Sequence, residues 1–142
     1  MIVVDTTVLV YAVGKPHPLR EPCERLLEAV AAGRVAATTS AGVIQEFAHV
    51  RARRIDRSDA AVYAGRYAEL LAPLLPVREE EVEPALRLFE LHSALDAFDA
   101  FLVAAALAHD ASALVSADQA FAAVAEVRFV HPGTPELDSL IA

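Results

Sequence analysis

The 142-residue sequence is poor in cysteine, in basic residues and in long apolar runs. Its one cysteine, Cys23, cannot form an internal disulfide, which excludes a disulfide-stabilised secreted scaffold and is typical of a reducing compartment. No stretch reaches the roughly 18 uncharged apolar residues that a membrane helix needs. The N-terminal segment has no basic region and reaches Asp5 at once, unlike a secretory signal. These absences predict a soluble, cytoplasmic protein.

Basic residues are outnumbered: 12 Lys and Arg face 20 Asp and Glu, a formal net charge of −8. At face value this disfavours a nucleic-acid binder, since phosphate binding usually accompanies net positive charge. The chain is 56% apolar and 23% charged, which is typical of a folded protein. Its length predicts one domain over residues 1–142.

Several catalytic and cofactor motifs are also missing. There is no glycine-rich phosphate loop and no Gly-x-Ser-x-Gly elbow, so neither a nucleotide cofactor nor a serine nucleophile is indicated. The five histidines lack zinc-ligand spacing. Glu46 and His49 form one Glu-x-x-His pair, whereas a di-iron bundle needs two.

What the sequence does contain is an alternation of short apolar strands and helices. Strands are predicted over 2–4, 35–38, 113–115 and 129–130, with a weak fifth over 73–77. Helices are predicted over 6–13, 19–32, 40–53, 58–72, 81–92 and 97–109, and a short one follows residue 118. This order favours an α/β fold, a three-layer α/β/α sandwich with a roughly five-stranded parallel sheet. Ligands of such folds bind at the carboxyl ends of the strands.

Four carboxylates are not explained by exposure alone: Asp5 and Asp118 follow predicted strands, Glu46 borders an apolar helix face, and Asp99 opens the most apolar helix. Taken singly, Asp5 and Asp118 can be helix caps and Glu46 a structural residue. Gathered at one sheet edge, they would repel each other and be costly to bury, which a divalent cation would relieve. Oxygen ligands select Mg²⁺ or Mn²⁺ over zinc, and Mg²⁺ commonly binds substrate phosphates, so a phosphodiester substrate is indicated.

Two further groups accompany these acids. Asp96 competes with Asp99 for the third ligand position, but it fits better as a helix N-cap with Asp99 at N3. Four arginines fall within seven residues just after Glu46, and they are either a solvated helix end or a surface that positions phosphates. They are Arg51, Arg53, Arg54 and Arg57.

The ordered set of motifs resembles the PIN domain, and more narrowly the VapC-type toxins of bacterial type II toxin–antitoxin systems. The resemblance rests on Val3-Val4-Asp5-Thr6-Thr7-Val8-Leu9-Val10-Tyr11, on Glu46, on residues 97–107 and on Val115-Ser116-Ala117-Asp118-Gln119-Ala120-Phe121. It implies a Mg²⁺- or Mn²⁺-dependent endoribonuclease on a five-stranded parallel sheet.

The resemblance also implies roles for individual residues. Asp5, Glu46, Asp99 and Asp118 would be catalytic, with Asp5, Asp99 and Asp118 holding the metal. Ser116 matches a hydroxyl position that helps to hold metal-bound water, while Asp96 is an extra acid at a position that the family often leaves non-acidic. Independently of the resemblance, the basic cluster after Glu46 predicts that Arg51, Arg53 and Arg54 position RNA.

The partners implied are RNA, a cognate antitoxin whose basic side chain lies over the acidic pocket, and a second copy of the chain. The alternatives are a non-catalytic RNA-binding or protein-interaction module on the same fold, in which the acids are caps, and a phosphatase on the same class of sheet.

Overall fold

The short apolar segments form a parallel sheet in the computed structural model, which describes residues 1–142. Strand β1 (Ile2–Val4) lies in the middle, between β2 (Ala37–Thr38) and β3 (Ala113–Val115), and β4 (Phe129–Val130) pairs with the far side of β3. The order β2-β1-β3-β4 confirms the predicted parallel α/β architecture. Because β1 and β3 are adjacent and parallel, the residues that follow them meet at one edge of the sheet.

The predicted fifth strand is reduced to a single bridge between Ser40 and Leu75. The Leu75 backbone N–H donates to the Thr39 carbonyl at 2.9 Å, and the Ala41 N–H donates to the Leu75 carbonyl at 3.0 Å. Prolines at positions 73 and 76 lack the N–H groups that a longer ladder needs, so the pairing stops there. The sheet therefore has four strands and one flanking bridge.

Seven α-helices connect and flank the strands. The structure confirms six predicted helices to within a few residues; α4 starts one residue earlier than predicted because Asp56 caps it. The short helix after Asp118 is a 3-10 helix, Gln119–Ala123. The helices are α1 (Thr6–Ala12), α2 (Arg20–Ala31), α3 (Ala41–Arg54), α4 (Arg57–Leu70), α5 (Glu79–Leu91), α6 (Ala97–Ala108) and α7 (Pro135–Ile141).

Helix α7 was not among the sequence predictions. It has only seven residues, and its position depends on burial of Leu137 and Ile141 against the rest of the core. A start signal was nevertheless present, because Pro135 stands at the first position and Glu136 lies in the first turn. None of the helices is both long enough and apolar enough to cross a membrane.

One apolar core of 34 buried residues runs from Ile2 to Ile141. Every residue of β1 and β3 is buried, as expected for strands covered on both faces. Phe47 of α3 meets Tyr67 of α4 edge to face, with ring centroids 5.0 Å apart, which fixes α3 against its neighbour. Burying Phe47 contributes about 1.5–3 kcal/mol and holds the helix that carries Glu46.

Candidate active site

The carboxyl ends of β1 and β3 bring Asp5 and Ser116 together. Val4 pairs with Val115 in the sheet, and the Asp5 backbone N–H donates to the Val115 carbonyl at 2.9 Å. Both Asp5 and Ser116 are buried, and the Ser116 hydroxyl donates to Asp5 Oδ2 at 2.7 Å. Residues separated by 111 positions in sequence are thus joined by the parallel register.

A chain of hydrogen bonds fixes one oxygen of the Asp5 carboxylate. The Thr7 hydroxyl donates to the same Oδ2 at 2.9 Å, so two hydroxyl protons point at this one atom. Each hydroxyl in turn accepts a backbone N–H: Ala117 donates to Thr7 Oγ1 at 2.9 Å, and Asp118 donates to Ser116 Oγ at 3.0 Å. Every hydrogen bond to this carboxylate goes to Oδ2, which leaves Oδ1 free to bind a ligand.

Asp5, Glu46 and Asp99 line one cavity of about 270 Å³. Asp5 precedes α1, Glu46 comes from α3 and Asp99 from the first turn of α6, so three separate elements converge. The remaining wall is mainly apolar and includes Phe98 and Leu102. No lysine, arginine or histidine lines the cavity, so nothing cationic in its wall offsets the three carboxylates.

The electrostatics of the cavity follow from this composition. Burial raises the pKa of Asp5, although hydrogen bonds from Ser116 and Thr7 oppose the rise. Burial also raises the pKa of Glu46, and repulsion from Asp5 adds to it. The pKa of Asp99 rises from 3.8 to about 7, chiefly through burial and then through the neighbouring charges of Asp96, Asp5 and Asp118. The three carboxylates therefore lie in a region of negative electrostatic potential that disfavours their ionised forms.

Asp96 and Asp118 are exposed and lie at the edge of this negative region, near Asp99. Asp96 Oδ1 accepts the Asp99 backbone N–H at 2.8 Å and the Asp96 N–H reaches Asp99 Oδ2 at 3.4 Å, which confirms the predicted capping arrangement. Asp118 caps the 3-10 helix through the Ala120 N–H at 2.9 Å. Capping and proximity to the cavity are therefore compatible, since Asp5, Asp96 and Asp118 all cap helices at this edge.

Two hydroxyl residues at this site were missed in the sequence analysis. Thr7 donates to Asp5, and the buried hydroxyl of Thr6 lies beside Glu46, where hydrogen bonding to the carboxylate opposes the rise in the Glu46 pKa. The available signal was their position, because both directly follow the acid that ends β1.

The carboxylates that line the cavity are chemically suited to bind a hard divalent cation. The groups facing the cavity are carboxylates with raised pKa values, one carboxylate oxygen is free, and no basic side chain competes. No three His, Cys, Asp or Glu side chains converge closely enough to chelate an ion directly as they stand. Mg²⁺ commonly retains several waters and binds through one or two carboxylates, so this spacing is compatible with a hydrated ion.

The basic cluster after Glu46 divides into two parts. Arg51 is largely buried and forms an ion pair with Asp59, while its Nη1 donates to the Val13 carbonyl at 3.1 Å. Arg53 and Arg54 are exposed at the last turn of α3 and form no ion pair. The guanidinium of Arg51 thus ties α3 to α4 and to the end of α1, whereas the next two arginines face solvent.

Fold and cavity together define an α/β protein with an acidic, cation-compatible pocket at the carboxyl edge of its sheet. The PIN domain family profile matches residues 2–127, and the chain belongs to this family. It is 52% identical over 143 residues to Ribonuclease VapC7 of Mycobacterium tuberculosis, covering 99% of this chain and 98% of that relative.

Solved structures agree on the fold. FitAB bound to an IR36 DNA fragment superposes with a TM-score of 0.73 at 20% identity, covering 94% of this chain and 96% of the other. A toxin–antitoxin complex from Klebsiella pneumoniae gives a TM-score of 0.66 at 18% identity, covering 93% and 98% of the two chains.

Proposed function

We propose that this protein is a divalent-metal-dependent endoribonuclease that acts as the toxin of a toxin–antitoxin pair. The observation that carries the proposal is the cavity in which burial raises the pKa values of Asp5, Glu46 and Asp99, and in which the charge of Asp5 raises those of the other two, without a basic residue in the wall. Full-length similarity to a VapC ribonuclease supports RNA as the substrate. Its action would take place in the cytoplasm.

The residues would divide the work as follows. Asp5, Asp99 and Asp118 would hold Mg²⁺ or Mn²⁺, with the free Oδ1 of Asp5 as the central ligand. Ser116 would keep Asp5 oriented through its 2.7 Å hydrogen bond to Oδ2. Asp96 would cap α6 and add negative charge at the rim.

Glu46 would orient the attacking water. Its raised pKa brings its proton affinity closer to neutral pH, which suits a group that accepts a proton from water. When bound, the cation would supply a lowered pKa for water and neutralisation of charge on the phosphate. The Thr6 hydroxyl would hydrogen-bond to the Glu46 carboxylate and help to orient it.

RNA and a cognate antitoxin are the proposed partners. Arg53 and Arg54 would position the RNA backbone without reading its bases, and Arg51 would support the helix that presents them. An antitoxin would cover the acidic cavity with a basic side chain, because such a group would relieve the same repulsion as a cation. A toxin homodimer or a toxin–antitoxin hetero-oligomer is the proposed assembly.

The test compares wild type with Asp5→Asn in an RNA cleavage assay containing Mg²⁺, with and without EDTA. Wild type should cleave only without EDTA, and Asp5→Asn should lose cleavage while its circular dichroism spectrum is unchanged. Asp56→Asn is the matched control, since Asp56 caps α4 as Asp5 caps α1 but lies outside the cavity. Full activity of Asp5→Asn, or cleavage by wild type in EDTA, would contradict the proposal.

A second candidate is a non-catalytic RNA-binding or protein-interaction module. The observation that favours it is that Asp5, Asp96 and Asp118 all serve as caps, which gives each a structural reason to be acidic. If an Asp5→Asn/Asp99→Asn double variant arrested growth as strongly as wild type when expressed, that candidate would be preferred.

A further inference from the structure

A second and larger cavity, of about 660 Å³, lies at the far end of α1 and α3. Its volume falls in the range of about 300–1,000 Å³ that is usual for ligand sites. We name it the cationic pocket, after the basic residues at its rim. Its lining includes Tyr11, Lys15, His17, Val50 and Arg54.

The charge of the cationic pocket is opposite to that of the chain as a whole. Lys15 and Arg54 are exposed and form no ion pair, although the protein carries a net charge of −8. Arg51 also lines the pocket, and Asp59 neutralises it. Two uncompensated cations therefore face the opening, which favours an anionic occupant.

Next to these cations stands an aromatic pair. The rings of Tyr11 and His17 have centroids 4.6 Å apart and an interplanar angle of 37°. His17 Nδ1 accepts the Leu19 backbone N–H at 3.1 Å, which holds the imidazole in place. Aromatic faces beside cations are the combination that binds single-stranded nucleic acid, with bases stacked and phosphates paired.

The acidic cavity and the cationic pocket are connected along α3. Glu46, Val50 and Arg54 are spaced four residues apart, so they form one stripe on the helix surface. Glu46 lines the first cavity, while Val50 and Arg54 line the second. At 1.5 Å per residue, the eight residues from Glu46 to Arg54 span about 12 Å, a distance that a short single strand can cover.

Helix α1, like α3, extends between the acidic cavity and the cationic pocket. Asp5, at its N-terminus, lines the acidic cavity, and Val10 and Tyr11, in its last turn, line the cationic pocket. Helices α1 and α3 pack side by side, and Arg51 ties them together through the Val13 carbonyl. Both helices therefore run from one cavity to the other.

We infer that the cationic pocket is a subsite for a nucleotide of single-stranded RNA flanking the scissile phosphate, with a base against Tyr11 and phosphates on Lys15 and Arg54. This inference rests on the proposed function for its substrate. The negative charge that a phosphodiester strand carries matches the two unpaired cations, and its bases match the aromatic pair.

The experiment measures binding of a fluorescein-labelled, mixed-sequence single-stranded RNA 12-mer by anisotropy, in the Asp5→Asn background to prevent cleavage. The Lys15→Ala/Arg54→Ala double variant should bind more weakly. For single strands, losing two phosphate contacts makes the negative slope of log K against log salt about 1.4 less steep. The ratio of parent affinity to variant affinity should therefore fall about sevenfold between 50 and 200 mM salt. Arg87→Ala/Arg128→Ala is the control, because it changes net charge equally at exposed sites away from the pocket.

Stacking is tested separately at one ring. Tyr11→Leu keeps apolar volume but removes the flat face, and it should lower affinity about fivefold or more with no change in salt slope. Tyr11→Phe should bind like the parent.

Equal affinity and slope in parent and Lys15→Ala/Arg54→Ala would overturn the inference, and weaker antitoxin binding by that variant would then assign the pocket to protein. Because binding is measured without turnover, failure of wild type to cleave RNA would count against the proposed function alone.

Discussion

Replacing Asp99 by Asn should stabilise the protein at high pH, because it removes a charge that the fold holds against repulsion. The pKa of Asp99 is about 7 in the folded protein instead of 3.8. Between these values the unfolded chain is ionised while the folded chain keeps its proton, so wild-type stability falls as pH rises and the loss is complete above about pH 7. The Asp99→Asn variant has no ionisable group at this position, so its stability does not fall with pH for this reason.

The magnitude follows from the same two values. The difference corresponds to about 4 kcal/mol for a fully buried carboxyl. Asp99 is only half-buried, and solvent screening reduces the expected gain to about 1–2 kcal/mol at pH 8. Near pH 4 the two proteins should have nearly equal stability.

Urea denaturation at pH 4.5, 6 and 8 measures this gain. Asp56→Asn is the control, because it removes an exposed capping carboxylate that lies outside the cavity. Adding Mg²⁺ at tenfold its dissociation constant should raise wild-type stability at pH 8 by about 1.4 kcal/mol and leave Asp99→Asn nearly unchanged. A gain that is equal at pH 4.5 and 8, or a loss of stability at pH 8, would refute the assignment of Asp99 to a repulsive cluster.

Three other substitutions test the supporting structure by the same denaturation assay. Ser116→Ala should cost about 1–3 kcal/mol because the Asp5 carboxylate loses a hydroxyl donor. The cost should be larger at high pH, where burial no longer keeps that carboxylate protonated, than at low pH; a pH-independent cost would contradict this. Arg51→Ala should cost about 1–3 kcal/mol, because the half-buried Asp59 carboxylate and the Val13 carbonyl both lose their hydrogen-bond donor. Arg87→Ala is the control: it breaks only an exposed ion pair and should change stability by no more than about 0.5 kcal/mol. Gly33→Ala should cost about 1–2 kcal/mol through backbone strain alone, because Gly33 has φ of +71° and open space where a Cβ would lie.

The strands and most helices could be predicted because their signals are local. The apolar run before Asp5 and the caps at Ser40 and Asp96 each act within a few residues, and the structure confirms these elements. Helix α7 and the shortened pairing at Leu75 could not be predicted in the same way. Helix α7 depends on burial against residues that are distant in sequence. The extent of pairing at Leu75 depends on how far the flanking prolines interrupt the backbone hydrogen bonds.

At the site, the sequence identified the residue types but not their hydrogen bonds. The pairing of Ser116 with Asp5 needs the β1–β3 register, and no local pattern specifies that register. The engagement of Arg51 by Asp59 depends on how α3 packs against α4, so four neighbouring arginines looked equivalent in the sequence although they are not equivalent in the fold.

Segregation of charge resolves the conflict between an acidic chain and the proposed RNA substrate. Arg53 and Arg54 lie in the last turn of α3, where positive charge complements the helix dipole, and Glu46 lies about two turns nearer the N-terminus. The same helix therefore presents an acidic residue to one cavity and a cationic rim to the other, within about 12 Å. A divalent cation would add two positive charges at the acidic end, where a phosphate must approach. Net charge averages over this separation, so the value of −8 is informative about solubility and long-range steering and not about the local surface that RNA would meet.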